Sequence, residues 1–245
     1  MSAPPVWHWL NDPGGPHWET LIRDYVPEGL LDLIPSPPDV VLDVGCFCGE
    51  TGARLKARYP GVRVVGIEPL DEAVKEARCK LDAVLHGKFE DVDLSEEGII
   101  PGTVNAVILA DVLEHMYNPW QALISLRPLL APNGFVLASI PNIRNFAIID
   151  ELVRGDFPYA GAGILDITHI RFFTWLGIQR LFGETGYRIE QIILNPDPRC
   201  QPLLEGLKQG PRINIDSPSL QIKNLAHEQL RELATLQFYL RARPI

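Results

Sequence analysis

The sequence predicts an α/β chain built on a doubly wound, mainly parallel sheet. Three observations predict it. Short runs rich in Val, Ile and Leu recur between residues 39 and 140 and read as buried strands. Segments with helical spacing of apolar residues lie between them. A Gly-rich loop leaves the first run. Strand–helix alternation of this kind winds through right-handed crossovers, with helices on both faces.

The first strand is DVVLDV (39–44), followed by the helix ETGARLKARY (50–59), which Pro60-Gly61 ends. VRVVGIE (62–68) is the second strand. DEAVKEARCKL (71–81) is a helix with Asp71 and Glu72 in its first turn, where the helix dipole favours acids. DAVLHG (82–87) and TVNAVILAD (103–111) are the third and fourth strands, and PWQALISLRPLL (119–130) is a helix. Ala131-Pro132-Asn133-Gly134 reads as a turn before the fifth strand, GFVLASI (134–140). TWLGIQRLFGETG (174–186) is a helix with Thr174 as N-cap and Gly186 near its end. YRIEQIIL and TLQFYLRAR are the last strand candidates, and the Pro-rich stretch 195–219 reads as irregular. The first 38 residues are rich in Trp and Pro, with one short amphipathic piece from Trp18 to Leu33.

The bulk numbers narrow the function. The chain has 245 residues, 46% hydrophobic and 22% charged, as expected of a globular protein with a real core. A net charge of −9 disfavours a nucleic-acid partner, which needs clustered Lys and Arg. No apolar run approaches the roughly 20 residues of a membrane span, and the N-terminus lacks a signal-peptide pattern. Four Cys suggest reduced thiols and a cytoplasmic protein. Cys46-x-Cys48 is half of a metal motif, but no second pair completes a tetrahedral zinc set.

The loop after the first strand, DVGCFCGETG (43–52), lies where open parallel sheets bind ligands. Its glycines are Gly45, Gly49 and Gly52, so the dinucleotide pattern G-x-G-x-x-G fails. Phe47 stands where the second glycine would admit a pyrophosphate. A nucleoside without phosphates escapes that constraint, and S-adenosylmethionine (SAM) is such a ligand. Glu68 ends the second strand 19 residues after Gly49, close to the spacing of about 20 from which an acid reaches ribose hydroxyls.

VLDVGCFCGETG, VVGIEP, GKFEDV, LADVLEHMYNPW and LAPNGFVLASIPN, in that order, resemble the successive motifs of class I SAM-dependent methyltransferases over about residues 39–142. Residues 143–190 resemble, more narrowly, methyltransferases found beside or fused to glycosyltransferases in bacterial surface-polysaccharide pathways. Ubiquinone-type O-methyltransferases are relatives of that group. The resemblance implies a Rossmann-like seven-stranded sheet of order 3-2-1-4-5-7-6 with an antiparallel last strand, TLQFYLRARPI supplying the seventh. It implies a SAM-dependent methyltransferase domain over 39–245, with a lid insertion at about 143–173 and a cap segment at 1–38. The implied activity is O-methylation of a sugar or polysaccharide hydroxyl, on a small-molecule or glycan acceptor, by a protein acting with or fused to a glycosyltransferase. A phenolic or natural-product acceptor is an alternative, and so is an inactive interaction module.

The same resemblance assigns cofactor roles. The backbone at Gly45, Cys46 and Gly49 would hold the methionine end. Asp43 would orient that loop and reach the amino group through water. Glu68 would take both ribose hydroxyls, Pro69 would lie against adenine, and Ala110 and Asp111 would border the sulfonium. Two positions depart from the pattern: Phe47 replaces a glycine, and Lys88 replaces an aspartate that accepts from the adenine amino group. Lys has no acceptor, so Glu90 or the backbone at Phe89 would take over.

Methyl transfer to a hydroxyl calls for a base, and histidine is suited to it near neutral pH. His115, just after the fourth strand, and His169, in LDITHIRFF, are the candidates, with Asp166 placed to set the tautomer of His169. Asp111-x-x-Glu114-His115 offers carboxylate and imidazole ligands, but no further ligand is evident, so no metal is expected. Glu114 is expected to face a neighbouring helix or solvent. The aromatic groups Trp7, Trp9, Trp18 and Tyr25, and Phe157, Tyr159, Phe172 and Phe173, read as core and lid packing rather than sugar stacking. GDFPYAGAGILD (155–166) is expected to be a mobile loop that closes over the acceptor together with the N-terminal segment.

Overall fold

The computed structural model describes Leu10 and residues 24–205 and 212–245. Trp7, Trp9, Trp18 and most of the expected N-terminal cap lie outside the described residues.

Seven strands form the main sheet. A short helix, α1 (Glu28–Leu31), precedes β1 (Val40–Val44). Then follow α2 (Glu50–Arg58), β2 (Arg63–Glu68), α3 (Asp71–Ala77), β3 (Ala83–His86) and β4 (Val104–Ala110). Next come α4 (Pro119–Leu126), β5 (Leu130–Pro141), α5 (Phe146–Val153), α6 (Trp175–Glu184) and β6 (Tyr187–Pro196). The chain closes with α7 (Gln201–Glu205), β7 (Ile213–Asp216), β8 (Gln221–Leu225), α8 (His227–Leu233) and β9 (Thr235–Pro244). The sheet order is β3-β2-β1-β4-β5-β9-β6. β1 to β5 are parallel, and β9 inserts antiparallel between β5 and β6. This is the expected sheet, with TLQFYLRARPI as its seventh strand.

The pleat explains why the strand sequences are apolar throughout. Leu42, Val44, Val65, Ile67, Val107 and Leu109 pack on one face, against Leu123, Leu126, Ile178 and Phe182 of α4 and α6. Val41, Val64, Ala106 and Ile108 pack on the other, against Leu30, Leu55 and Val74 of α1, α2 and α3. Successive side chains point to opposite faces, so a sheet covered on both sides needs both parities apolar.

Two local expectations are corrected, and a third is refined. β5 begins at Leu130, paired with Val104, and its next partner on β4 is Ala106, opposite Phe135, so the expected turn at 131–134 is a bulge within a longer strand, with Asn133 at φ 76. The helix expected over 71–81 ends at Ala77. The stretch 195–219 is not wholly irregular: β7 pairs with β8 as a hairpin. Ile213 and Ile215 alternate inward and pack with Leu225, Leu230 and Leu233 under α8. This small unit sits between β6 and β9, and its signal is only four residues of alternation.

Thr174 caps α6 as expected, its hydroxyl accepting from the Gly177 N–H at 3.2 Å. Thr174→Ala should cost about 1 kcal/mol, lowering Tm by about 2–4 °C in a chain of this size. An unchanged Tm by circular dichroism would show that the end of α6 is held by packing alone.

Candidate active site

The loop after β1 turns over the carboxyl edge of the sheet. Gly45 has φ +70, and a Cβ there would stand 2.8 Å from Val112 Cγ2, so no side chain fits. Phe47 also adopts a left-handed backbone, φ 47, which costs an L-residue about 1–2 kcal/mol. Glu68 opposes that cost. Its Oε2 accepts from the Phe47 N–H at 2.9 Å, and its Oε1 accepts from the Leu70 N–H at 2.9 Å. One carboxylate thus ties the loop after β1 to the turn after β2. Each of its oxygens keeps a lone pair for a hydroxyl.

The loop's own donors are spent internally. The Gly45 and Cys46 N–H groups both donate to Ile67 O, at 2.8 and 3.1 Å, and the Gly49 N–H donates to Cys46 O at 2.8 Å. An ammonium here would therefore be held by carbonyls and carboxylates. Asp43 is 1% exposed, and its Oδ2 has no partner. Burial, and then the charge of Glu68, push its pKa up to about 7. That orphaned acceptor fits the cationic methionine end of SAM.

The acceptor end is built from the turn after β4 and the segment 160–173. Asp111 has φ 55, and its N–H donates to Ser139 Oγ at 2.9 Å. Gln237 Nε2 donates to Asp111 Oδ1 at 3.4 Å. Beside it the Tyr25 and Tyr239 hydroxyls lie 3.2 Å apart, and Asn195 Nδ2 donates to Tyr239 at 2.9 Å. Burial raises the Asp111 pKa to about 6. Glu114 is 1% exposed, with neither carboxylate oxygen bonded. Burial, and then Asp111, raise its pKa well above the ordinary carboxylate range.

His115 and His169 meet edge to face, centroids 4.7 Å apart. His169 Nδ1 lies 3.0 Å from Ile164 O. His115 Nδ1 lies 3.3 Å from Thr168 O and 3.2 Å from Thr168 Oγ1, a hydroxyl whose proton goes to Asp166 Oδ1 at 2.6 Å. All of these partners accept, so Nδ1 carries the proton in both rings and Nε2 keeps its lone pair. His115 retains accessible surface at the cleft wall but is crowded by protein. Burial, and then His169, lower its pKa to about 4. Burial lowers that of His169 as well.

Both ends open into one cleft of about 790 Å³, within the range of small-molecule sites. Its walls include Asp43, Gly45, Phe47, Glu68, Asp111 and His169. A shallower depression of about 1040 Å³ lies at the opposite edge of the sheet, around Gly102, Arg127 and Arg243, and holds no predicted site residue.

Residues 42–136 match the family model described as "Methyltransferase domain". The chain is 37% identical over 103 residues to the mitochondrial ubiquinone biosynthesis O-methyltransferase of Schizosaccharomyces pombe, covering 40% of this chain and 36% of that one. It is 30% identical over 117 residues to a trans-aconitate 2-methyltransferase of Paracidovorax citrulli, covering 47% and 44%. The matches thus span less than half of either relative. Among solved structures, a SAM-dependent methyltransferase of Thermotoga maritima superposes with a TM-score of 0.60 at 14% identity, over 98% of this chain and 99% of that one. The chain thus resembles methyltransferases over residues 42–136 and shares the fold of a SAM-dependent methyltransferase of known structure.

Asp43, Gly45, Cys46, Phe47, Glu68, Pro69, Phe89, Glu90, Ala110 and Asp111 all line the cleft, as do Lys88, His115, Asp166 and His169. Gly49 stands behind them, at the N-cap of α2. Asp166 does not set the His169 tautomer: the Ile164 carbonyl does, and the Asp166 carboxylate is taken by Thr168 N and Oγ1. Glu114 does not face solvent or a helix. It is buried 4.0 Å from His169 Nε2. In the segment 155–166, Ile164 and Leu165 are buried against Ile148, while residues 155–163 are exposed or half-buried. Phe157 contacts Tyr159 and Phe172 edge to face, so these rings pack on one another. Gln237 and Asn195 were not expected at the site, because they come from strands distant in sequence, and Tyr25 was read as packing rather than as a polar group of the cleft.

Two predictions follow from this geometry. Between pH 4 and 7 the folded protein holds a proton on Asp43 that the unfolded chain releases, so stability falls as pH rises through that window. Asp43→Asn should therefore be more stable than wild type at pH 8, by about 1.4 kcal/mol or more, and no more stable near pH 4. Equal Tm differences at the two pH values would refute the assignment. Phe47→Gly removes the left-handed strain and should keep or tighten SAM affinity in a calorimetric titration. A tenfold loss would make the ring a positive part of the site.

Proposed function

We propose that the protein is a SAM-dependent O-methyltransferase acting on a hydroxyl of a small, polar acceptor. The observation that carries this reading is that one cleft joins the Glu68-clamped loop to two imidazoles whose Nε2 atoms are unprotonated. SAM supplies an activated methyl: the acceptor oxygen forms a C–O bond as the C–S bond breaks, the electron pair going to sulfur and the hydroxyl proton to a base. The protein's part is mainly positioning. Glu68 and Asp43 would hold the cofactor, Asp111 would border its sulfonium, and the cluster of Glu114, His115 and His169 would take up the proton or offset the developing charge on oxygen.

The polar wall of Tyr25, Asn195 and Gln237 supports a sugar hydroxyl, in a pathway shared with a glycosyltransferase. The O-methyltransferase name of the ubiquinone-biosynthesis relative, together with apolar Met116, Ile164 and Ile170 in the cleft, supports a phenolic hydroxyl as the second reading. A panel of nucleotide sugars and catechols, scored for S-adenosylhomocysteine release, separates them.

Calorimetric titration with SAM and with S-adenosylhomocysteine tests the first step. Micromolar binding that Glu68→Ala weakens at least tenfold, about 1.4 kcal/mol, is expected. Absence of binding to either nucleoside would leave an interaction module in place of an enzyme.

A further inference from the structure

The protons along the polar wall of the cleft can be counted. Gln237 Nε2 lies 3.4 Å from Asp111 Oδ1 and 3.4 Å from the Tyr25 hydroxyl. The nitrogen of that amide, not its oxygen, must face the carboxylate, because two acceptors repel. The Tyr25 oxygen therefore accepts from Gln237. Asn195 Nδ2 donates to the Tyr239 hydroxyl at 2.9 Å. Tyr239 is only 6% exposed, so its own proton needs an acceptor inside the protein. The Tyr25 oxygen, 3.2 Å away, supplies one. Both lone pairs of Tyr25 are then occupied, and its proton is left over. Tyr25 lines the cleft, whereas Tyr239 stands behind it. Among the described residues no acceptor takes the Tyr25 proton. Burial raises the Tyr25 pKa, against the hydrogen bond with Tyr239, and the Asp111 charge adds to the rise. The hydroxyl thus remains a donor, held by two neighbours and aimed at the cleft.

We propose that the Tyr25 hydroxyl donates a hydrogen bond to the carboxylate at the methionine end of SAM. This inference deepens the proposed function and rests on it. The first support is a shortage of other donors. The N–H groups of Gly45, Cys46 and Gly49 are taken by backbone carbonyls, and that of Phe47 is taken by Glu68. Glu50, in the first turn of α2, sets a carboxylate beside the start of that helix, which disfavours a second anion there. Lys88 is the one Lys or Arg among the described residues that line the cleft. It follows β3, at the far edge of the sheet, while Gln237 and Tyr239 lie on β9, beyond β1, β4 and β5.

The second support is the order of the groups. Asp43 lies in β1, the strand paired with β4, and Asp111 follows β4. In the proposed binding mode Asp43 takes the ammonium and Asp111 borders the sulfonium. The carboxylate shares its carbon atom with the ammonium, and Tyr25 is joined to Asp111 through Gln237. A preorganised hydroxyl gives that carboxylate a donor with little ordering left to complete on binding.

The test is calorimetric titration with S-adenosylhomocysteine and with its decarboxylated analogue, the aminopropyl thioether of adenosine, on wild type and on Tyr25→Phe. Wild type is expected to prefer S-adenosylhomocysteine. Tyr25→Phe should weaken S-adenosylhomocysteine about tenfold, as loss of a hydrogen bond to a charged group does, and leave the analogue's affinity unchanged. Tyr239→Phe, which removes the donor behind Tyr25 and frees its hydroxyl to turn, should show a smaller loss, again confined to the ligand with the carboxylate. It decides the matter should the first variant fail to fold. Equal affinities of wild type and Tyr25→Phe for S-adenosylhomocysteine overturn the inference, by turning the hydroxyl toward the methyl acceptor. An equal loss for both ligands overturns it too, as the mark of a structural role. So does a wild type that binds the two ligands alike. Absence of binding of either ligand by folded wild type would instead sink the proposed function, and the inference with it.

Discussion

The carboxylates of Asp43, Glu68, Asp111 and Glu114 converge on one cleft, and the rest of the site is arranged around their electrostatics. Asp43 lies in β1, Glu68 ends β2, Asp111 follows β4, and Glu114 lies three residues further on. Parallel strands all end at the same edge of a sheet, so acids at their carboxyl ends cannot avoid one another. Glu68 raises the cost of ionising Asp43, and Asp111 raises that of Glu114. Only Glu68 is well satisfied, by two backbone N–H groups. The others are held in place by a core packed on both faces of the sheet. Such stored cost is characteristic of binding sites. A ligand bearing a sulfonium and an ammonium would offset it.

The acceptor side depends on a different set of contacts. Asn142 Nδ2 donates to Glu232 O and Thr235 O, and Asn145 Nδ2 donates to Asp197 Oδ2 and Thr235 O. These two buried asparagines fasten the start of the 143–173 segment to the entrance of β9. The Glu114 carbonyl accepts from the N–H groups of Ile170 and Arg171, which fastens the end of that segment to the turn after β4. His115 and His169 are brought together by this second attachment. The hairpin of β7 and β8 packs under the same region through Phe146 and Ile149, so the insertion before β9 buttresses that segment.

The central sheet was legible because burial on both faces writes itself into the sequence as near-continuous Val, Ile and Leu. The loop glycines were legible because a left-handed backbone excludes most side chains, and Glu68 because it ends a strand at a fixed distance from the loop. The turn expected at 131–134 is a bulge inside β5, because Ala-Pro-Asn-Gly has turn chemistry and only pairing with β4 shows that the strand begins before it, at Leu130. The β7–β8 hairpin failed because its strands are four and five residues long, and half of their side chains are polar.

By itself, then, the sequence determined the order of strands and helices, the Gly-rich loop with its acidic partner, and the two histidines as the groups suited to acceptor chemistry. These follow from local periodicity, from backbone sterics and from side-chain type. The tertiary structure alone decided that Glu114 is buried without a partner, that Ile164 rather than Asp166 fixes the His169 ring, and that His169 faces Glu114 and His115. Those facts depend on where a segment more than fifty residues away comes to rest, and proximity across such a separation leaves no periodic mark in the chain.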